Sequence, residues 1–137
     1  MGRCAPGGVA LAVTPCPFCS EDAALLGNPL AYVRADKYPV TPGHVLLIPR
    51  RHEPDFLALN AEELAALWEL LPRARAMLDR ERHPDGYNLG VNVGEAAGQT
   101  IPHAHVHLIP RYRGDTQNPS GGVRGVIPGR QRYGAER

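Results

Sequence analysis

The sequence predicts an α+β fold: an antiparallel sheet of about five strands with one long and one short helix. Three observations carry this. One segment repeats apolar residues at the helical period, several short segments are apolar or alternating at strand length, and no regular strand–helix–strand succession is present to build a parallel sheet. The 137 residues suit one domain with a single core. Hydrophobic residues make up 43% and charged residues 21%, which excludes a disordered or fibrous chain.

Residues 1–14 have no period and read as a loose N-terminal arm. Cys16-Pro17-Phe18-Cys19 follows, and Ser20 to Leu26 reads as the short helix, stopped by Gly27-Asn28-Pro29. Leu30 to Asp36 reads as a strand with Tyr32 and Arg34 on one face and Val33 and Ala35 on the other. Pro39, Pro42 and Gly43 mark a turn, and His44 to Ile48 is an apolar run of buried-strand length closed by Pro49.

Asn60 and Glu63 make a capping box for the long helix, in which Leu64, Leu67, Trp68 and Leu71 form one apolar stripe. Pro72 removes a hydrogen bond and is expected to kink it. The helix resumes through Met77 and Leu78 and stops before Pro84, with His83 capping its last carbonyls. Tyr87 to Val93 alternates as a strand, with Asn88, Gly90 and Asn92 on its polar face. A Gly-rich loop over Gly94 to Thr100 leads to a last strand, His103 to Ile109. The domain is expected over 15–115, and an Arg/Gly/Pro-rich arm over 116–137.

The net charge of +1 argues against nucleic acid as the main partner. From Arg111 onward six Arg face only Asp115 and Glu136, which suits either an anionic ligand or a solvated tail. The apolar stretch Val9 to Val13 is too short for a signal-peptide core or a membrane span, so no membrane association is expected. Three cysteines, an odd number, point to the reducing cytoplasm with unbridged thiols. Cys4 stands alone and is expected to be idle.

Three of the six histidines sit at alternate positions, His103, His105 and His107. On a strand they share a face, with Ala104, Val106 and Leu108 turned to the core. Two chemistries compete for them. His-x-His suits zinc, but same-face neighbours are about 6.6 Å apart, so at most two of the three share an ion. The other chemistry is nucleophilic attack on phosphorus by a neutral imidazole whose second nitrogen is held by a hydrogen bond. The CxxC segment is open to redox, metal-binding or buried-thiol readings. A zinc ribbon lacks its second Cys pair, and the residues before Cys16 form no strand for a redox fold.

The stretch Ala97-Gly98-Gln99-Thr100-Ile101-Pro102-His103-Ala104-His105-Val106-His107-Leu108-Ile109-Pro110 resembles the signature of the histidine triad (HIT) superfamily of nucleotide hydrolases and transferases. Asp36-Lys37, Pro42-Gly43-His44, Pro49-Arg50-Arg51-His52 and Asn92-Val93-Gly94 resemble its other landmarks. The stretch Gly121 to Pro128 looks like the tail of a bacterial diadenosine tetraphosphate hydrolase-like subgroup.

The resemblance implies cleavage at the α-phosphate of a purine nucleotide conjugate, a dinucleoside polyphosphate or a nucleoside phosphoramidate, through a nucleotidyl-histidine intermediate. It implies His105 as nucleophile, His107 and His44 as phosphate contacts, and Asn92, Gln99 and Thr100 as further donors. It implies Asp36 on the ribose hydroxyls and Phe18 in a purine pocket, although a core phenylalanine fits Phe18 equally. Members with a Cys pair resemble galactose-1-phosphate uridylyltransferase, and that likeness implies a structural zinc on Cys16, Cys19, His52 and His103, with no organic cofactor. It also implies a homodimer whose sheets pair across a two-fold axis, with the C-terminal arm near the partner's site. Asn92 stands where one polyphosphate-cleaving branch has Gln, which leaves the leaving group open. The alternative expectation is a nucleotide-binding or sensing module that acts through a protein partner.

Overall fold

A computed structural model describes residues 15–133. Five strands form one antiparallel sheet: β1 (Ala24–Gly27), β2 (Ala31–Ala35), β3 (Val45–Pro49), β4 (Gly86–Gly90) and β5 (Val106–Arg111), in the spatial order β1-β2-β3-β5-β4. Among the described residues a single α-helix, α1 (Ala61–Arg82), lies between β3 and β4 in the chain, and short 3-10 turns occupy Phe56–Ala58, Glu95–Ala97 and Gly122–Val126. The fold is therefore the expected α+β sheet with one main helix.

The expected short helix over Ser20 to Leu26 is instead the edge strand β1. Ala24, Leu26 and Gly27 pair with Arg34, Val33 and Tyr32 across a bulge. The Gly-Asn-Pro signal read as a helix stop is a hairpin turn, in which Asn28 Oδ1 accepts from the amides of Leu30 and Ala31. Pairing with β2 outweighs local helical preference here.

Helix α1 begins where the capping box places it. Asn60 Oδ1 accepts from the Glu63 amide and Glu63 Oε1 accepts from the Asn60 amide. The helix runs through Pro72 without a break, so the expected interruption does not divide it. His83 closes it in the left-handed conformation, φ 52°. The buried stripe is Leu67, Leu70, Ala74 and Leu78, rotated from the expected one, which leaves Trp68 at 42% exposure on the flank. That stripe packs against Ala31, Val33, Val45, Leu47, Ala104, Val106 and Leu108, the main core between helix and sheet.

The opposite face of the sheet carries a smaller cluster of Phe18, Tyr32, Leu46 and Ile48, with Cys16 and Ile101 at its edge. Both late strands differ from their expected spans. β4 stops at Gly90, which pairs with His107, so Asn92 lies past its end. β5 begins only at Val106, because the Ala104 amide donates to Glu53 O at 2.7 Å and not to a ladder partner. As far as Tyr133, the last described residue, the C-terminal arm is irregular but braced: Gln131 Nε2 donates to the carbonyls of Asn118 and Ser120. The N-terminal arm and Cys4 lie outside the described residues. Among those described, no helix is long and apolar enough to cross a membrane.

Candidate active site

His103 and His105 precede β5 and His107 lies within it, yet the alternation holds along the whole segment. Ala104, Val106 and Leu108 sit in the helix-side core, while Phe18 packs against His103 and His105 at ring-centre distances of 6.1 and 4.9 Å. His105 and His107 stand 5.0 Å apart, and His44, from the residue before β3, lies 5.2 Å from His107. His44, His103 and His105 are buried, and His107 is partly open.

Main-chain partners fix the rings. His105 Nδ1 lies 2.8 Å from the carbonyl oxygen of His103, so this nitrogen carries the proton and Nε2 keeps its lone pair. His103 Nε2 lies 2.8 Å from Pro49 O, which leaves the Nδ1 of that ring unprotonated. Burial lowers the pKa of all four rings. It holds His103 and His107 at about 4, and in His107 the neighbouring His105 and His44 push the same way. For His105 and His44 burial also leads, opposed by the charge of Asp36 and, for His105, by its bond to His103. All four imidazoles are neutral near pH 7.

Asp36 joins this group. Its Oδ2 lies 3.4 Å from His44 Nε2 and 4.0 Å from His107 Nδ1, and its Oδ1 accepts from the Tyr38 amide. Phe18 is 6% exposed and belongs to the packing around the rings. The Gln99 side chain is committed to main-chain partners: Oε1 accepts from the Gly94 amide, and Nε2 donates to Pro54 O and Ile101 O. Thr100 is exposed and Asn92 half-buried, both on loops that flank the histidine segment.

Cys16, Cys19, His52 and His103 converge, with one donor atom from each lying within 4.8 Å of all the others. Cys16 Sγ is 3.4 Å from His103 Nδ1, and Cys19 Sγ is 3.3 Å from His52 Nδ1 and 3.7 Å from His103 Nδ1. Tetrahedral zinc with Zn–S of about 2.3 Å and Zn–N of about 2.1 Å sets sulfur and nitrogen about 3.6 Å apart, so the donor set fits. The bond from His103 Nε2 to Pro49 O turns the Nδ1 lone pair toward the sulfurs, the orienting role that outer partners play for metal-bound histidine. Contrary to the expectation of unbridged thiols, Cys19 is disulfide-bonded, so a metal competes with that bond for its sulfur.

The sequence marked Pro49-Arg50-Arg51-His52 as a landmark and His52 as a metal ligand, but gave no sign that the main chain over 49–54 holds the histidine segment. Pro49, Glu53 and Pro54 supply carbonyls to His103, Ala104 and Gln99. Arg51, in the middle of this segment, is tied to helix α1 by two bonds to Glu63, at 2.7 and 2.9 Å. The capping box had marked Glu63, but nothing in the spacing marked its bond to Arg51.

Residues 19–114 match the HIT domain family. The chain is 38% identical over 88 residues to the bifunctional bis(5'-adenosyl)-triphosphatase/adenylylsulfatase FHIT of Arabidopsis thaliana, covering 64% of this chain and 49% of that protein. It is 32% identical over 105 residues to the AP-4-A phosphorylase of Mycobacterium tuberculosis, covering 74% and 54%. The chain thus spans about half the length of each of these two relatives. A crystal structure of a HIT family protein from Bacillus anthracis superposes with a TM-score of 0.68 at 34% identity, covering 74% of this chain and 76% of the other. The protein belongs to the HIT domain family, among whose members are dinucleoside polyphosphate hydrolases and phosphorylases.

Proposed function

We propose that this chain cleaves purine nucleotide conjugates at the α-phosphate, with dinucleoside polyphosphates or nucleoside phosphoramidates as substrates. The observation that carries the reading is the 2.8 Å bond from His105 Nδ1–H to His103 O, which leaves a neutral ring with its Nε2 lone pair free. In the proposed reaction that lone pair forms an N–P bond to the α-phosphorus as the bond from phosphorus to the leaving group breaks. A polyphosphate departs with the electron pair of the broken P–O bond, and an amine departs with that of the P–N bond after taking a proton from solvent water. Water, which gives up a proton to solvent, or inorganic phosphate in a phosphorylase, then attacks the nucleotidyl-histidine, the P–N bond breaks, and His105 regains its lone pair.

Charge on the phosphoryl oxygens is met by the His44–His107 pair together with Asn92 and the loop of Gln99 and Thr100. Gln99 acts by shaping that loop, since its side chain ties it to Gly94 and to Pro54 of the 49–54 segment. Asp36 accepts from the ribose hydroxyls, and Phe18 braces the His105 ring beside the base. Zinc would be held by Cys16, Cys19, His52 and His103, where it supplies structural cross-linking. The outer edge of β4, which no other strand pairs among the described residues, with Leu89 39% exposed, suits pairing with a second copy.

Product analysis tests the reading. Purified protein is offered diadenosine tetraphosphate, diadenosine triphosphate and adenosine phosphoramidate, with and without inorganic phosphate. AMP as a product identifies hydrolysis, and ADP made only with added phosphate identifies phosphorolysis. Nucleotide binding without any product leaves the chain a binding module and refutes the enzyme.

A further inference from the structure

The Val40 amide donates to His44 Nδ1 at 3.0 Å. A neutral imidazole has one donor nitrogen and one acceptor, so this contact decides the whole ring: the proton of His44 sits on Nε2. His44 Nε2 lies 3.0 Å from His107 Nδ1 in hydrogen-bonding geometry. His107 Nδ1 is therefore the acceptor, and the proton of His107 sits on its own Nε2. Among the described residues that Nε2 has no partner, and the His107 side chain retains 22% exposure.

We infer that the main-chain N–H of Val40 is the fixed end of a one-way hydrogen-bond chain, Val40 to His44 to His107, which makes His44 a positioning residue and presents His107 to the ligand solely as an Nε2–H donor. The inference rests on the reading that His107 faces a substrate phosphate. His44 is 3% exposed, and both of its nitrogens are engaged, so its influence on that phosphate passes through His107. The chain does not relay protons. If His107 gave its proton away, His44 could refill it only by becoming an imidazolate, because an amide does not surrender its N–H.

The same logic disposes of a second metal centre. Asp36, His44 and His107 have the spacing of a cation site. Binding there needs a lone pair on His44 Nε2, and that nitrogen holds the proton. Burial and the two facing rings lower the basicity of His107, in keeping with a neutral donor.

Nitrogen NMR of the full chain labelled with 15N-histidine reads the tautomers directly at pH 7. The expected spectrum shows Nδ1 unprotonated and Nε2 protonated in both His44 and His107, and a proton on Nδ1 of either ring overturns the inference. Two variants read the consequence. Glutamine can offer an oxygen to the Val40 amide and an N–H to His107, whereas phenylalanine offers neither. His44→Phe is expected to lower kcat about ten-fold with little change in KM, and His44→Gln to recover most of that loss. Equal impairment of the two variants, or none in either, overturns the positioning role. A failed covalent step at His105 would refute the proposed reaction while leaving these tautomers unchanged.

Discussion

His103 and His105 are joined through one atom, the carbonyl oxygen of His103, which takes the Nδ1–H of His105 at 2.8 Å. The imidazole of the same His103 points its Nδ1 at Cys16 and Cys19 and donates its Nε2–H to Pro49 O. One residue thus links the sulfur cluster, the end of β3 and the ring proposed to attack phosphorus.

Zinc is expected to stabilise the fold. In the presence of reductant, which frees Cys19, the chain should bind about one zinc ion, and Cys16→Ser should weaken that binding. Stripping the metal should lower the thermal midpoint. An abolished turnover with an unchanged midpoint would show that the ion serves chemistry instead.

Acid should destabilise the protein earlier than its carboxylates alone would make it do. His107 has a folded-state pKa of about 4 against about 6.5 unfolded, so between these values the unfolded chain binds more protons. Stability therefore falls as pH drops from about 6.5 to about 4, by up to about 1.4 kcal/mol per pH unit for one such group. Urea midpoints measured across this range check the slope, and His107→Asn should flatten it. Equal slopes in both proteins would contradict the assignment.

Arg51→Met should cost about 2 kcal/mol, because it leaves the Glu63 carboxylate, 5% exposed, without its bidentate partner. The side chain of Arg51 is itself 31% exposed, which keeps the loss below that of a fully buried pair. Urea denaturation reads the change, and a shift under about 0.5 kcal/mol would show that the pair does not anchor the 49–54 segment.

Gly43→Ala should be costly. Gly43 has φ +92°, and an added Cβ would lie 3.2 Å from Arg82 Cγ and Leu78 Cδ2 and 3.3 Å from Pro110 Cγ. Strain and crowding together suggest a loss of about 1–3 kcal/mol. Since the next residue is His44, NMR of the variant should also show displaced His44 and His107 signals. A fully stable variant with unchanged spectra would contradict the packing at this turn.

Much of this architecture was legible in the sequence, for local reasons. Asn60 and Glu63 announce their helix because a capping box satisfies its donors within four residues. His103, His105 and His107 announce a shared face because alternation survives even where the ladder does not. What escaped depends on distant partners. β1 exists because β2 pairs with it. The buried stripe of α1 is centred on Leu70 and Ala74 because the sheet meets the helix there. The grip of the 49–54 segment on the histidines is made of main-chain carbonyls, which carry no residue signature.

The covalent step at His105 is tested most directly by rapid quench of the protein with diadenosine tetraphosphate, followed by mass spectrometry of the digested chain. The account predicts an adenylyl group on the peptide bearing His105, located to that ring by fragmentation. It also predicts that His105→Asn loses the adduct and at least about 1,000-fold in turnover while still binding AMP. Turnover retained by His105→Asn, or an adenylyl group found on another residue, would contradict it.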